Sequence, residues 1–224
     1  MYEVAICMPY YERLERLRQT LSSFEDAGYY DENIGVSIVD DGSIEEPVPK
    51  EIADHPNITV SYLPQKNGWK NPCVPLNIAV KQVESKAVLL QSPETYHPES
   101  IIPKMKRLLE TPQEVVLSQV QVVGQKGMEW YAHPEHRPLK YWFCCMLYRW
   151  FYDSIGGFDE GYREGQGFDD DDFVLRLDRA GAEWVWAPTT AIHVKDKRKH
   201  RLPPIHANRS RFNDKALREK HSAS

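Results

Sequence analysis

Apolar residues recur along this chain in short runs that alternate with segments of helical spacing. Residues 2–8, YEVAICM, form an apolar run with β-branched character. The segment YERLERLRQTLSSFEDAG then puts Leu14, Leu17, Leu21 and Phe24 on one helical face before Gly28. IGVSIVDDGS predicts a second strand, ended by a turn of Asp, Gly and Ser. Strand, helix, strand is one βαβ unit. The rhythm continues with a strand over 58–63 (ITVSYL), a helix beginning near Pro75 (PLNIAVKQVES) and a strand over 87–90 (AVLL). Such alternation predicts an α/β fold of Rossmann-like character, with a mixed but mostly parallel central sheet flanked by helices. The second half is less regular. It holds a helix near 99–110, a strand VVLSQVQVV, the aromatic segment YWFCCMLYRWF, a helix after four aspartates and a strand-like run WVWAPTTAIHV. No internal repeat or low-complexity linker interrupts the 224 residues, so one domain spanning 1–224 is expected.

In an open α/β sheet, ligands sit at the carboxyl ends of the strands. That rule selects MPYYER after the first strand, VDDGS after the second and QSPETYHP after the fourth. The glycine-rich dinucleotide fingerprint and the GxxxxGK phosphate loop are both absent, which weakens the two common nucleotide readings.

Each stretch has its own chemistry. An aspartate closing a buried strand, Asp40, can accept hydrogen bonds from the planar NH edge of a nucleobase; alternatively Asp40 and Asp41 cap the turn through their side chains. Tyr11 lies at the neighbouring strand end, where it can stack on the same base or simply pack. In GQGFDDDDFVLRL, residues 165–177, four consecutive carboxylates open a helix. Adjacent helical residues are about 100° apart, so the four cannot share one partner, and at least one should turn inward toward the cleft. A helix N-terminus offsets part of their repulsion. A carboxylate held there among other acids has its proton affinity raised toward that of a general base. His193, at the end of the last strand-like run, can ligate a metal, bind phosphate or be structural.

The stretches VSIVDDGS, NGWKNPCVPLNIAV, IGGFDEGYREGQGFDDDDFVLRL and AIHV occur in the order found in glycosyltransferases of the GT-A fold. The chain resembles family 2 of those enzymes and their galactosyltransferase-like branch, and GQGFDDDD is similar to that branch's GWGGEDDD segment. The resemblance extends from residue 3 to about 215. It implies that Tyr11 and Asp40 hold the nucleobase, with Pro9 close by, and that Lys70 and Asn77 approach ribose or diphosphate. Asp170 matches the catalytic base, and Asp169 the neighbouring acid that contacts a sugar. The implied reaction is an inverting displacement at the anomeric carbon of a nucleotide-sugar donor, UDP-linked, by the hydroxyl of a glycan or another acceptor. Where the family carries a DxD metal motif, this chain has QSPET, so Gln91 and Pro93 replace both aspartates. Glu94, His193 and two diphosphate oxygens could still hold Mn²⁺ or Mg²⁺. The alternative is neutralisation of the diphosphate by Lys195, Lys197 or Arg198.

Charge bears on that choice. From Val194 onward there are ten Lys or Arg against three acids, a net +7 set against −12 for the rest of a chain whose overall charge is −5. Only Phe212 supplies an aromatic in this tail, so a nucleic-acid grip is not expected. The four cysteines, Cys7, Cys73, Cys144 and Cys145, lack CxxC spacing and read as buried free thiols in a reducing compartment. With no apolar run of about 20 residues, a cytoplasmic protein without a transmembrane segment is expected. The expected activity is thus glycosyl transfer. The rivals are a nucleotide-sugar-binding protein of the same fold that has lost turnover, and a nucleotidyltransferase.

Overall fold

A computed structural model of the chain describes residues 1–65, 70–124, 127–194 and 205–222. The elements run β1 (Tyr2–Tyr10), α1 (Leu14–Asp26), β2 (Ile34–Asp40), α2 (Lys50–Ala53), β3 (Ile58–Tyr62), α3 (Cys73–Lys81), β4 (Ser85–Gln91), β5 (Thr95–Tyr96) and α4 (Ile102–Arg107). They continue with β6 (Glu114–Gly124), β7 (Gly127–Ala132), β8 (Cys144–Tyr148), α5 (Arg149–Ser154), α6 (Asp169–Arg179), β9 (Glu183–His193) and α7 (Ile205–Ser222).

The strands form one sheet in the order β3-β2-β1-β4-β8-β6-β9-β5, with β7 paired to β6. β1 pairs in parallel with β2 and β4, β2 with β3, and β6 with β9. β8 runs antiparallel between β4 and β6. Consequently β1, β2, β3, β4, β6 and β9 share one direction, as the βαβ rhythm of the sequence predicts.

Period-two alternation puts the two faces of β1 into separate cores. Ile6 and Met8 pack with Leu17, Phe24 and Met105 of α1 and α4. Ala5 and Cys7 pack on the other face with Leu76 and Val80 of α3 and Phe151 of α5. Each is fully buried, so the central strand reads as a continuous apolar run. All four cysteines are free and buried, as expected. Burial pushes the Cys7, Cys73 and Cys144 thiols up to about 12, so they are packing groups and not nucleophiles.

Several elements differ from the sequence reading. The aromatic segment contains β8 and the start of α5, and α6 begins at Asp169, so the four acids form its first turn and do not precede it as a separate segment. β5 has only two residues and exists because Thr95 and Tyr96 pair with His193 and Ile192. α7 was not anticipated. Its Arg211 binds Asp159 at 3.0 Å and its Lys215 binds Asp172 at 2.5 Å, so part of the basic tail is structural. Lys195, Lys197 and Arg198 lie outside the described residues. Among the described residues, no helix is long and apolar enough to cross a membrane.

The register gathers the site. Tyr10 stands beside Asp40 at the ends of β1 and β2, while Thr95 stands beside His193. The stretches after β1, β2 and β4 therefore meet the end of β9 along one edge of the sheet.

Candidate active site

A cavity of about 400 Å³ opens at that edge. Pro9, Tyr11, Lys70, Glu94, Asp169, Asp170 and His193 all line it, so seven of the nine residues predicted for the site come together. Asp40 and Asn77 do not line it.

Asp40 is buried, and its two oxygens accept the backbone N–H groups of Ser43 and Val48, each at 2.9 Å. The turn-capping alternative is the one observed. A buried turn after β2 needs acceptors for its amides, and Gly42, at φ +81°, allows the chain to reverse there. The next residue, Asp41, lines the cavity instead. Asn77 faces into the fold. Its Oδ1 accepts from Tyr152 Oη at 2.6 Å and from Phe158 N at 2.8 Å, and its Nδ2 donates to Phe158 O at 2.9 Å, tying α3 to α5 and the following loop.

The four aspartates separate into three directions. Asp169 is buried and accepts from Asn71 Nδ2 at 2.6 Å, while Asn71 Oδ1 accepts from Cys73 N at the start of α3. Asp170 is half-buried beside it in the cavity. Asp171 is exposed. Asp172 is fully buried on the opposite side, where Arg176 Nε donates at 2.7 Å and Lys215 Nζ at 2.5 Å. The helix N-terminus favours all four charges, and Phe168, in the left-handed region at φ +64°, turns the chain so that the first two face inward. Burial, then the charges of Asp169 and Asp171, push the Asp170 carboxyl up to about 7. Burial likewise raises Asp169.

Opposite these acids sits a basic and aromatic wall. Arg13 follows Glu12, which is also left-handed at φ +51°, and its backbone N–H donates to Tyr10 Oη at 3.1 Å. The Arg13 guanidinium donates to Glu94 Oε1, and His193 Nε2 lies 3.6 Å from the same oxygen. Burial acts to raise the Glu94 carboxyl, but Arg13 and His193 outweigh it and hold the group at about 2. Tyr131 stacks on His193 with centroids 5.5 Å apart, and Phe143 meets His193 edge-on at 5.5 Å. Lys70 pairs with Glu164 at 2.5 Å on the rim. Glu94 Oε2 and His193 Nδ1 are buried with no hydrogen-bond partner among the described residues.

The expected Mn²⁺ or Mg²⁺ can be tested on this donor set. Glu94 and His193 do meet, but among the described residues no group of three or more His, Cys, Asp or Glu side chains could hold an ion. Gln91, the first DxD position, is buried with its Oε1 2.8 Å from His97 Nε2 and its Nε2 donating to Thr95 O. A hard divalent ion wants six or more oxygens, and here Glu94, the one carboxylate at the DxD position, already carries a guanidinium. These residues do not fit a resident divalent ion.

Sequence reasoning missed Arg13, Asp41, Asn71, Tyr131 and Phe143. Arg13 and Asp41 lie inside stretches selected for their place at strand ends, so the signal was present. Tyr131 and Phe143 come from β7 and the segment before β8, which no spacing rule links to the first half.

A second cavity, of about 340 Å³, adjoins the first and shares Asp170 with it. Tyr141, Leu175 and Phe212 give it apolar walls, and Lys140, Asp171 and Asp178 line it as well. Lys140 is already paired with Asp178 at 3.0 Å.

The architecture recurs in solved structures. A crystal structure of GalNAc-T7 with UDP, GalNAc and Mn²⁺ superposes with a TM-score of 0.68 at 10% identity, over 86% of this chain and 43% of that one. S. aureus TarS 1–349 in complex with UDP-GlcNAc superposes with a TM-score of 0.71 at 17% identity, over 89% of this chain and 60% of that one. The chain thus spans about half the length of these structures, and the likeness establishes the GT-A fold. No curated protein matches the sequence. The model of one family, "Glycosyl transferase family 2", matches residues 5–166, well over half of the sequence. By that match, the chain belongs to glycosyl transferase family 2.

Proposed function

We propose that this protein transfers a sugar from a UDP-linked donor to the hydroxyl of a glycan or similar acceptor, with inversion at the anomeric carbon. The observation that carries the reading is the position of Asp170. It stands between two cavities, with its carboxyl pushed up to about 7 by burial and by its acidic neighbours. A base poised near neutral pH is partly ionised yet still a good proton acceptor.

The larger cavity takes the donor. Tyr11 and Asp41 meet the base end, Lys70 and Arg13 the diphosphate, and Asp169 a sugar hydroxyl. The unpartnered Glu94 Oε2 and His193 Nδ1 supply further hydrogen-bonding capacity to the bound nucleotide sugar. The smaller cavity takes the acceptor. Its carboxylates disfavour an anionic acceptor, because its one lysine is already paired. In the reaction the acceptor oxygen forms a bond to the anomeric carbon and its proton passes to Asp170. The bond from that carbon to the phosphate oxygen breaks, and its electron pair leaves with UDP. The acceptor oxygen attacks the face opposite the breaking bond, which inverts the carbon.

The test is release of UDP from a set of UDP-sugars, with the product anomer read by NMR. Asp170→Asn should lose a factor of about 10² to 10⁴ in kcat while still binding UDP. Binding of UDP-sugars with no turnover by the wild type across donors and acceptors would make it a binding protein. Transfer unaffected by Asp170→Asn would remove the proposed base.

A further inference from the structure

The donor cavity contains a fixed cation at the place where its fold implies a mobile one. Of the residues at the DxD position, Gln91 is turned away into a buried contact with His97, and Pro93 has no ligand atom to offer. Ser92, Pro93 and Glu94 line the cavity, only Glu94 among them offers a carboxylate, and that carboxylate accepts from Arg13. A divalent ion on two aspartates and a guanidinium on one glutamate both sum to zero charge. The loss of one carboxylate and the presence of Arg13 therefore leave the local electrostatics balanced. Adding a divalent ion beside Arg13 would set its charge a few ångströms from the guanidinium in a partly desolvated site, a repulsion that the shared Glu94 carboxylate alone does not offset.

We infer that Arg13 takes the place of the metal: its guanidinium, oriented by Glu94, hydrogen-bonds the diphosphate of the donor, and transfer needs no divalent ion. This rests on the sugar-transfer reading above. The guanidinium is planar, always charged and carries five N–H donors in a fork that matches phosphate oxygens. One edge is committed to Glu94, which also fixes the plane. Arg13 stands at the start of α1, anchored through its backbone to Tyr10 and preceded by the left-handed Glu12, so its position does not depend on ligand. As the bond between the anomeric carbon and the phosphate oxygen breaks, negative charge grows on the departing UDP, and Arg13 meets it with preorganised donors. No atom is transferred to Arg13, which stays charged throughout.

The experiment is UDP binding by calorimetry, with EDTA or with Mn²⁺, in parallel with UDP release from the donor. Wild type should bind UDP with the same affinity in both, and transfer at the same rate. Arg13→Gln should weaken UDP about tenfold or more, with no rescue by Mn²⁺, and Arg13→Lys should recover part of the loss. Because Arg13→Gln leaves Glu94 buried without its partner, the double variant Arg13→Gln/Glu94→Gln removes both charges and guards against misfolding; it should bind UDP as weakly. Binding that disappears in EDTA and returns with Mn²⁺, or a double variant that binds UDP like wild type, would overturn the inference and leave the sugar-transfer reading intact. Failure to bind UDP in either condition would remove both.

Discussion

The half-buried Asp170, the base of the proposed reaction, should carry a measurable penalty to stability, and Asp170→Asn is the perturbation that exposes it. In the unfolded chain this carboxyl titrates near 3.8, and in the fold it is held up to about 7. Between those values the native state keeps a proton that the unfolded state has released. Stability therefore falls as pH rises from about 4 to about 7, and is level above that. A gap of roughly three pH units at 1.36 kcal/mol each sets a ceiling of about 4 kcal/mol at pH 8. Asp170 is only half-buried, so solvent screening reduces this to about 2 kcal/mol. Asparagine keeps the shape and carries no charge. The variant should be more stable than wild type by that amount at pH 8, a rise in Tm of about 4–8 °C for a chain of this size, and no more stable at pH 4. Urea unfolding followed by far-UV circular dichroism at the two pH values measures it. A variant of equal or lower stability at pH 8, or the same gain at both pH values, would refute the argument that the fold strains this acid for chemistry.

Its neighbours should respond differently. Asp172→Asn takes the partner from Arg176 and Lys215 and should cost about 3 kcal/mol in urea unfolding at neutral pH, the opposite sign to Asp170→Asn. Asn71 lowers the Asp169 carboxyl through its hydrogen bond, so Asn71→Ala should leave Asp169 less ionised, weaken the charge that raises Asp170, and move the acid limb of the pH–rate profile downward from the wild-type midpoint near 7; an unmoved limb would separate Asp169 from the base. Asn77→Leu leaves Tyr152 Oη and Phe158 N without their acceptor and should cost about 2–4 kcal/mol, yet UDP affinity of the folded protein should stay within twofold. A tenfold loss of affinity would return Asn77 to the nucleotide site.

The first half of the fold was legible because its strands are buried on both faces and its helices are amphipathic. Leu14, Leu17, Leu21 and Phe24 lie where helical spacing puts them, against the sheet or along its flank. The second half was harder for a physical reason. β5 and β7 take their identity from pairing with β9 and β6, partners distant or visible only after folding, and local propensity carries no trace of them. The same distinction runs through the site. Asp169 and Asp170 could be found because four adjacent charges demand an explanation. The choice between Asp40 and Asp41 could not be made by spacing, because either can end a strand and only the turn's amides decide which one is consumed.

The two non-glycine residues held in the left-handed region next to the chemistry, Glu12 and Phe168, have a consequence for how the site can be lost. Each precedes a residue that faces the cavity, and each conformation costs of order 1–3 kcal/mol that only the surrounding tertiary contacts sustain. Excised as peptides, YYER and GFDD would relax and their side chains would disperse. Within the whole molecule, the same tension makes these two corners the places where amide exchange should be fastest relative to the sheet beneath, so the alignment of the cavity's side chains would fade under mild denaturant while the strands were still intact.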